Sequence, residues 1–116
     1  MKVLVTGGRD FSDRKLLFDT LDGTHINSGI DLLINGGAPG ADALSSEWAR
    51  GMEIQTMMFM ADWIRYGKKA GPIRNQQMID EKPDLVLAFP GGVGTADCVR
   101  RAEKAGIPVG RIEGAA

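Results

Sequence analysis

The stretch DLVLAFPGGVGTADCVRRAEKAG (84–106) decides the fold. It opens with a short apolar run, Asp84–Phe89, whose hydrophobic residues are consecutive rather than alternating. That is the pattern of a strand covered on both faces, as in a parallel sheet. The run stops at Pro90-Gly91-Gly92. A helix then opens at Gly94 or Thr95 and continues to Ala105, where Gly106 suits the left-handed residue that closes a helix.

The same succession recurs elsewhere in the chain. Lys2–Thr6 (KVLVT) is a β-branched run ending at Gly7-Gly8, and Asp31–Asn35 (DLLIN) is another ending at Gly36-Gly37. Glu53–Met60 (EIQTMMFM) and Ile107–Ile112 read as the third and fifth strands. Ser12 or Asp13 caps a helix running to about Asp22, with Leu17, Thr20 and Leu21 on its inner face. Ala41, Leu44, Ser45, Trp48 and Ala49 recur at helical spacing, which assigns Trp48 to the core. From Ala61 to Pro72 (ADWIRYGKKAGP) the pattern fails, and a helix from Pro72 to about Glu81 follows. Five strands alternating with four helices predict an α/β fold. It is a single domain over 1–116, with three layers and a mostly parallel sheet of about five strands. The closing EGAA (113–116) is expected to fray.

Composition closes several doors. The chain has 116 residues, 43% hydrophobic and 25% charged, which excludes disorder. Its net charge of −1 argues against a protein that works by wrapping a nucleic-acid backbone. One cysteine, Cys98, and one histidine, His25, exclude a disulfide framework and a Cys/His zinc site, so no metal is expected. No apolar run approaches the ~18 residues of a membrane span. The opening MKVLVTGG turns polar too soon for a secretory signal. A cytoplasmic protein is the expectation.

Glycine is the outlier, at 16 of 116 residues, about twice the usual share. Eight of the sixteen fall in three loops that follow strands: Gly7-Gly8-Arg9-Asp10, Gly36-Gly37-Ala38-Pro39-Gly40 and Gly91-Gly92-Val93-Gly94-Thr95. All three are expected on one rim, at the carboxyl ends of the strands, where open parallel sheets bind ligands. Glycine there lets a backbone approach a phosphate, which the free N–H groups of a helix start can hold. No loop is followed by G-K-[ST], and none is a full G-x-G-x-x-G, so neither common nucleotide fingerprint is present.

GGRDFSD (7–13), NGGAPGAD (35–42), ADWIRYGKKAGPIRNQQM (61–78) and FPGGVGTADCVRRA (89–102), in this order, resemble the YspA-type family of the SLOG superfamily. The superfamily is named after the Smf/DprA and LOG proteins. The resemblance covers nearly the whole chain. It implies a Rossmann-like fold and a nucleotide-derived ligand at the glycine loops, related to NAD or ADP-ribose, with no cofactor required. LOG members cleave the N-glycosidic bond of nucleoside monophosphates, using PGG-x-GT-x-x-E and an arginine on the preceding helix. Arg74 matches that arginine, and Pro90, Gly91, Gly92, Gly94 and Thr95 match the loop. The glutamate position is Cys98. A thiol cannot stabilise the oxocarbenium-like state as a carboxylate does, and Asp97 is offset by about 100° around a helix. LOG-like relatives are dimers, so the resemblance also implies a homodimer option, and its DprA branch a single-stranded nucleic-acid option.

The candidate ligand residues are therefore Gly7, Gly8, Arg9, Gly36, Gly37, Ala38, Gly40, Asp42, Arg74, Asn75 and Pro90 to Thr95, Val93 included. Arg9 and Arg74 offer guanidinium forks to phosphate, or are surface ion pairs. Asn75 reads a base or ribose edge, or satisfies backbone groups. Asp42 and Asp97 are placed in first helical turns, where the helix dipole alone favours carboxylates. Asp42, and with less support Asp10, could instead take a ribose hydroxyl. If a bond is cut, Arg74 and Asp97 are the candidate catalytic pair. Trp63 and Tyr66 either stack on a base or pack the irregular segment. Met52, Met57, Met58 and Met60 read as core or interface filling, and Cys98 as a small buried residue. Lys68, Lys69, Arg100, Arg101 and Lys104 read as solvated faces. The expected function is binding of a nucleotide-type small molecule. An N-glycosidase and a nucleic-acid module are the rivals.

Overall fold

In the computed structural model, which describes residues 1–113, Lys2–Thr6 (β1), Leu32–Asn35 (β2), Gln55–Met58 (β3), Leu85–Ala88 (β4) and Val109–Arg111 (β5) form one sheet. Its order is β3-β2-β1-β4-β5 and every pairing is parallel. The helices are Arg14–Ser28 (α1), Ala41–Gly51 (α2), Trp63–Tyr66 (α3), Ala70–Asp80 (α4) and Val93–Lys104 (α5), with a 3₁₀ turn at Gly67–Lys69. Beyond Glu113 the expected fraying of the tail lies outside the described residues.

Alternation along the central strands builds two cores. Val3, Val5, Leu33 and Leu87 point to one face, where Leu17 and Leu21 of α1 and Trp48 and Ala49 of α2 cover them. Leu4, Ile34 and Val86 point to the other, against Met78 and Ile79 of α4 and Cys98 and Ala102 of α5. Consecutive apolar residues thus serve both faces at once, as the strand pattern required. The chain winds in one direction from β1 to β3, crosses the sheet, and winds in the other from β4 to β5. The reversal lies between β1 and β4.

The helix boundaries depart from the sequence expectation for identifiable reasons. α1 starts after Asp13, whose carboxylate accepts the Leu16 N–H at 3.1 Å. It runs six residues past Asp22 because tertiary contacts hold its last turns. Asp22 accepts the Trp48 indole N–H at 2.8 Å, the His25 ring meets Trp48 edge-on at 5.9 Å, and His25 Nδ1 accepts the Ile30 N–H at 2.9 Å. His25, three residues past the expected end of the helix, therefore lies in the last turn of α1 and helps to close it. The segment 61–71 contains α3, started by Asp62, which accepts the Arg65 N–H at 3.1 Å. No residue from Asp62 to Lys69 is buried, so the segment leaves no apolar periodicity to read. α4 begins at Ala70, two residues before Pro72. α5 begins at Val93, so Asp97 is the fifth residue of the helix rather than a first-turn carboxylate. β3 and β5 are shorter than expected, and both are edge strands. Met52, Met57, Met58 and Met60 are exposed and not core; Met57 and Met58 lie on β3, an edge strand of the sheet.

Lys82 follows α4 with φ of 55°, a left-handed conformation that costs a residue bearing a Cβ about 1–2 kcal/mol. Replacing it with glycine is expected to stabilise the protein by roughly 0.5–1 kcal/mol, after the greater freedom glycine adds to the unfolded chain. Urea denaturation checks this. A loss of stability would mean that the lysine side chain holds the turn.

Candidate functional site at the glycine rim

β1 and β4 lie side by side in register, Thr6 opposite Ala88. Past these residues the chain leaves β1 for one face and β4 for the other, opening a crevice. At its base the two glycine loops touch. The Gly8 N–H donates to Pro90 O at 2.9 Å, and the Phe89 N–H donates to Thr6 O at 2.8 Å. A Cβ on Gly91 would lie 2.7 Å from the Gly8 nitrogen, so this approach is open only to glycine. Above the seal is a cleft of about 700 Å³, walled by residues 7–13 on one side and 90–95 on the other.

The second wall contains the start of α5. Its N-cap is Gly92, which has no side chain to bond the helix, and the first turn-closing bond runs from the Ala96 N–H to Gly92 O at 3.1 Å. The N–H groups of Val93, Gly94 and Thr95 precede the helical ladder and have no acceptor within it. The first wall carries the Arg9, Asp10, Ser12 and Asp13 side chains. Asp13 is committed to the α1 cap, and Phe11 packs on Phe89 with ring centroids 5.4 Å apart. Sequence reasoning passed over Phe11, Ser12 and Asp13 as lining residues, although GGRDFSD places them directly after a glycine pair.

Of the candidate residues, the cleft gathers Gly7, Gly8, Arg9 and Pro90 to Thr95. The loop after β2 stands behind this wall. Gly40 packs against the backbone of Gly8 and Arg9, and the Ala41 N–H donates to Gly8 O at 3.2 Å. Asp42 Oδ2 accepts the Gly36 and Ala38 N–H groups, each at 3.2 Å. Arg74 Nη1 donates to Gly36 O at 2.8 Å and its Nε to Asn75 Oδ1 at 3.0 Å. Asn35, read from sequence only as a strand end, closes the same unit. It accepts the Gly37 N–H at 2.9 Å and donates to Ser46 Oγ at 2.8 Å. Gly36, Gly37, Ala38, Gly40, Asp42 and Arg74 thus form a bonded buttress.

Asn75 and Asp97 belong to a second buttress between α4 and α5. Asn75 Nδ2 donates to Gly94 O at 3.1 Å and to Asp97 Oδ2 at 3.0 Å. Arg101 Nε and Arg100 Nη2 donate to the same carboxylate at 2.9 and 3.1 Å. Asn75 therefore fixes the first turn of α5 from below. Trp63 and Tyr66 are partly exposed on α3 and do not line the cleft. Trp63 reaches it through Arg9, whose guanidinium lies 5.9 Å from the indole centroid.

The electrostatics follow from burial. Asp42 is 7% exposed, and burial pushes its carboxyl up to about 6 despite the two N–H donors and the Arg74 charge. Burial also acts to raise the Asp97 carboxyl, but the hydrogen bonds from Arg101 and Asn75 and the charges of Arg101 and Arg100 outweigh it, and the carboxyl sits below its ordinary value. Burial raises the Cys98 thiol to about 11, against a hydrogen bond with Thr6. Cys98 is neutral, inaccessible and unsuited to nucleophilic work.

An all-parallel sheet in this order, helices on both faces and a glycine-walled cleft at the winding reversal define a Rossmann-like domain. A model of the YspA, cpYpsA-related SLOG family matches residues 1–66. The Gene 61 protein of Mycobacterium phage D29 is 43% identical over 116 residues, covering 93% of each chain. The chain belongs to the YspA, cpYpsA-related SLOG family. Two solved structures share the fold. The molybdenum cofactor binding protein from the phototrophic bacterium Rippkaea orientalis superimposes with a TM-score of 0.76 at 22% identity, over 98% of this chain and 77% of that one. DNA processing protein A (DprA) from Streptococcus pneumoniae gives 0.54 at 18% identity, over 94% of this chain and 58% of that one. Among the described residues, no helix is long and apolar enough to cross a membrane.

Proposed function

We propose that the protein binds a phosphate-bearing small molecule of the nucleotide class in the cleft between Gly7–Asp13 and Pro90–Thr95, as a sensor or carrier in the cytoplasm. The observation that carries this reading is the wall itself. Glycines at 91, 92 and 94 bare the backbone, and the uncapped first turn of α5 offers N–H donors and the positive end of its dipole to an anion. Arg9 stands on the facing wall as a charged partner. That a protein of the same fold is named for binding a cofactor supports a small ligand. The net charge of −1 also weighs against nucleic acid.

The N-glycosidase reading has less beneath it. The Asp97 carboxylate is held by Asn75, Arg100 and Arg101, Arg74 is bonded into the loop after β2, and Cys98 is a neutral thiol in the core. Of the aspartates on the cleft wall, Asp13 caps a helix and Asp10 alone is uncommitted.

Thermal unfolding with inorganic phosphate, AMP, ADP-ribose and NAD tests the binding reading. A ligand at a hundred times its dissociation constant adds about 2.7 kcal/mol, a rise of about 10 °C for a domain of this size. Gly94→Glu should abolish that rise without unfolding the protein. A Cβ at Gly94 meets nothing within 4 Å, and a carboxylate in a first helical turn favours the helix while repelling an anion. No rise with any of the four ligands would overturn the proposal.

A further inference from the structure

The Pro90–Gly92 loop is a ridge with a cleft on each side. The second cleft, about 480 Å³, lies toward β5, and Pro90, Gly91, Gly92 and Thr95 border both. The crest of the ridge is Gly91-Gly92, with the Thr95 side chain set against Gly91, so only a low step separates the two spaces. Their chemistry differs. The larger one presents Asp10 and Ser12, groups that accept from or donate to hydroxyls. The smaller has an apolar floor, made by the end of β4 with Val99 and Ile112, under a rim carrying Arg100 and Arg111. Each guanidinium is pinned at one edge, Arg100 by Asp97 and Arg111 by Glu103, both at 3.1 Å. Pinning orients the group and leaves its flat face and its remaining N–H donors available.

We infer that the smaller cleft is a subsite for a planar heteroaromatic group, and that the ligand straddles the ridge. Its phosphate sits on the α5 start, its sugar crosses the glycine crest beside Thr95, and its ring enters over Val99 between the Arg100 and Arg111 rims. An apolar floor takes the ring face, and an oriented guanidinium stacks on such a ring or donates to its edge nitrogens and oxygens. The inference rests on the proposed phosphate site and deepens it. The ligand class becomes a nucleotide with its base attached rather than a sugar phosphate.

The test compares AMP with ribose 5-phosphate by calorimetry, on the wild type and on Ala96→Trp. Ala96 is an exposed α5 residue bordering the smaller cleft alone, so an indole there fills that cleft without entering the core. The wild type should bind AMP at least tenfold more tightly than ribose 5-phosphate. Ala96→Trp should erase that advantage and leave ribose 5-phosphate binding unchanged. Equal binding of the two ligands by the wild type, or an Ala96→Trp protein that keeps its preference, would overturn the subsite and leave the phosphate site standing. So would a variant that weakens both ligands alike, since it would then act on the ridge. Failure of both ligands to bind the wild type would overturn the phosphate site, and the subsite with it.

Discussion

Replacing Gly40 by alanine is expected to cost at least about 3 kcal/mol, enough to leave a domain with ordinary marginal stability largely unfolded. Gly40 has φ of 79° and ψ of −127°, a conformation that imposes strain of order 1–3 kcal/mol on residues with a Cβ. An added Cβ would also be driven into the Gly8 carbonyl and to 2.6 Å from the Arg9 oxygen. Both obstacles are backbone, and both belong to the wall of the cleft, so neither can yield without moving the site. Gly23→Ala provides the contrast. It lies inside α1 with nothing within 4 Å of its Cβ, and alanine there should stabilise by about 0.5–1 kcal/mol. Urea denaturation of the two variants reads both signs. A Gly40→Ala protein within 1 kcal/mol of the wild type would show that the loop after β2 does not brace the cleft.

The second large effect is a reversal of the usual pH dependence of a carboxylate. Asp42 titrates near 6 in the folded protein, against an ordinary value of 3.8. Between those values the folded chain holds a proton that the unfolded chain has released. Folding therefore takes up a proton, and stability rises as pH falls from about 6 toward 4. At about 1.4 kcal/mol per unit, the full effect is roughly 3 kcal/mol. Asp31 and Asp97 are shifted the other way, so what they contribute is lost only at lower pH, below the ordinary carboxylate value. Urea midpoints of the wild type should peak near pH 4. Asp42→Asn should flatten the segment between pH 4 and 6 and leave the acid limb in place. An unchanged slope in that variant would assign the titration to another group.

Much of the fold could be read because its central strands are covered on both faces. Val3 to Val5 and Val86 to Phe89 announce themselves as unbroken apolar runs, and each ends in a glycine pair that marks the rim. What could not be read lies where burial is partial or comes from distant residues. α3 has no buried residue and so no period. The last turns of α1 depend on Trp48, which is remote in sequence. The methionines around β3 look like core by composition, yet exposure follows strand order, and nothing in a local window says that β3 is an edge. The same holds for the site. The glycine loops after β1 and β4 wall the cleft as their positions suggested. Arg74, Asn75 and Asp42 match in type but are bonded into the scaffold behind it, and only three-dimensional hydrogen bonding separates those two fates. Asn35 carried no motif, and only its partners reveal it.

The cleft's two walls come from the beginning and near the end of the chain. Gly8 and Pro90 meet across 82 residues, and before β4 is reached the chain between them builds β2 and β3 on the opposite side of β1. Contacts so distant along the chain are the slow ones in folding. During synthesis the half of the sheet that carries the first wall, β1 to β3 with α1 and α2, emerges complete, while the second wall does not exist until residues 85–95 have followed. Until then one edge of β1, the central strand of the finished sheet, stands unpaired, and Leu4 on its second face lacks the cover of α5. Any intermediate that accumulates is therefore expected to expose that edge, and a ligand bridging both walls would act as a late clamp, stabilising the finished chain but no shorter one.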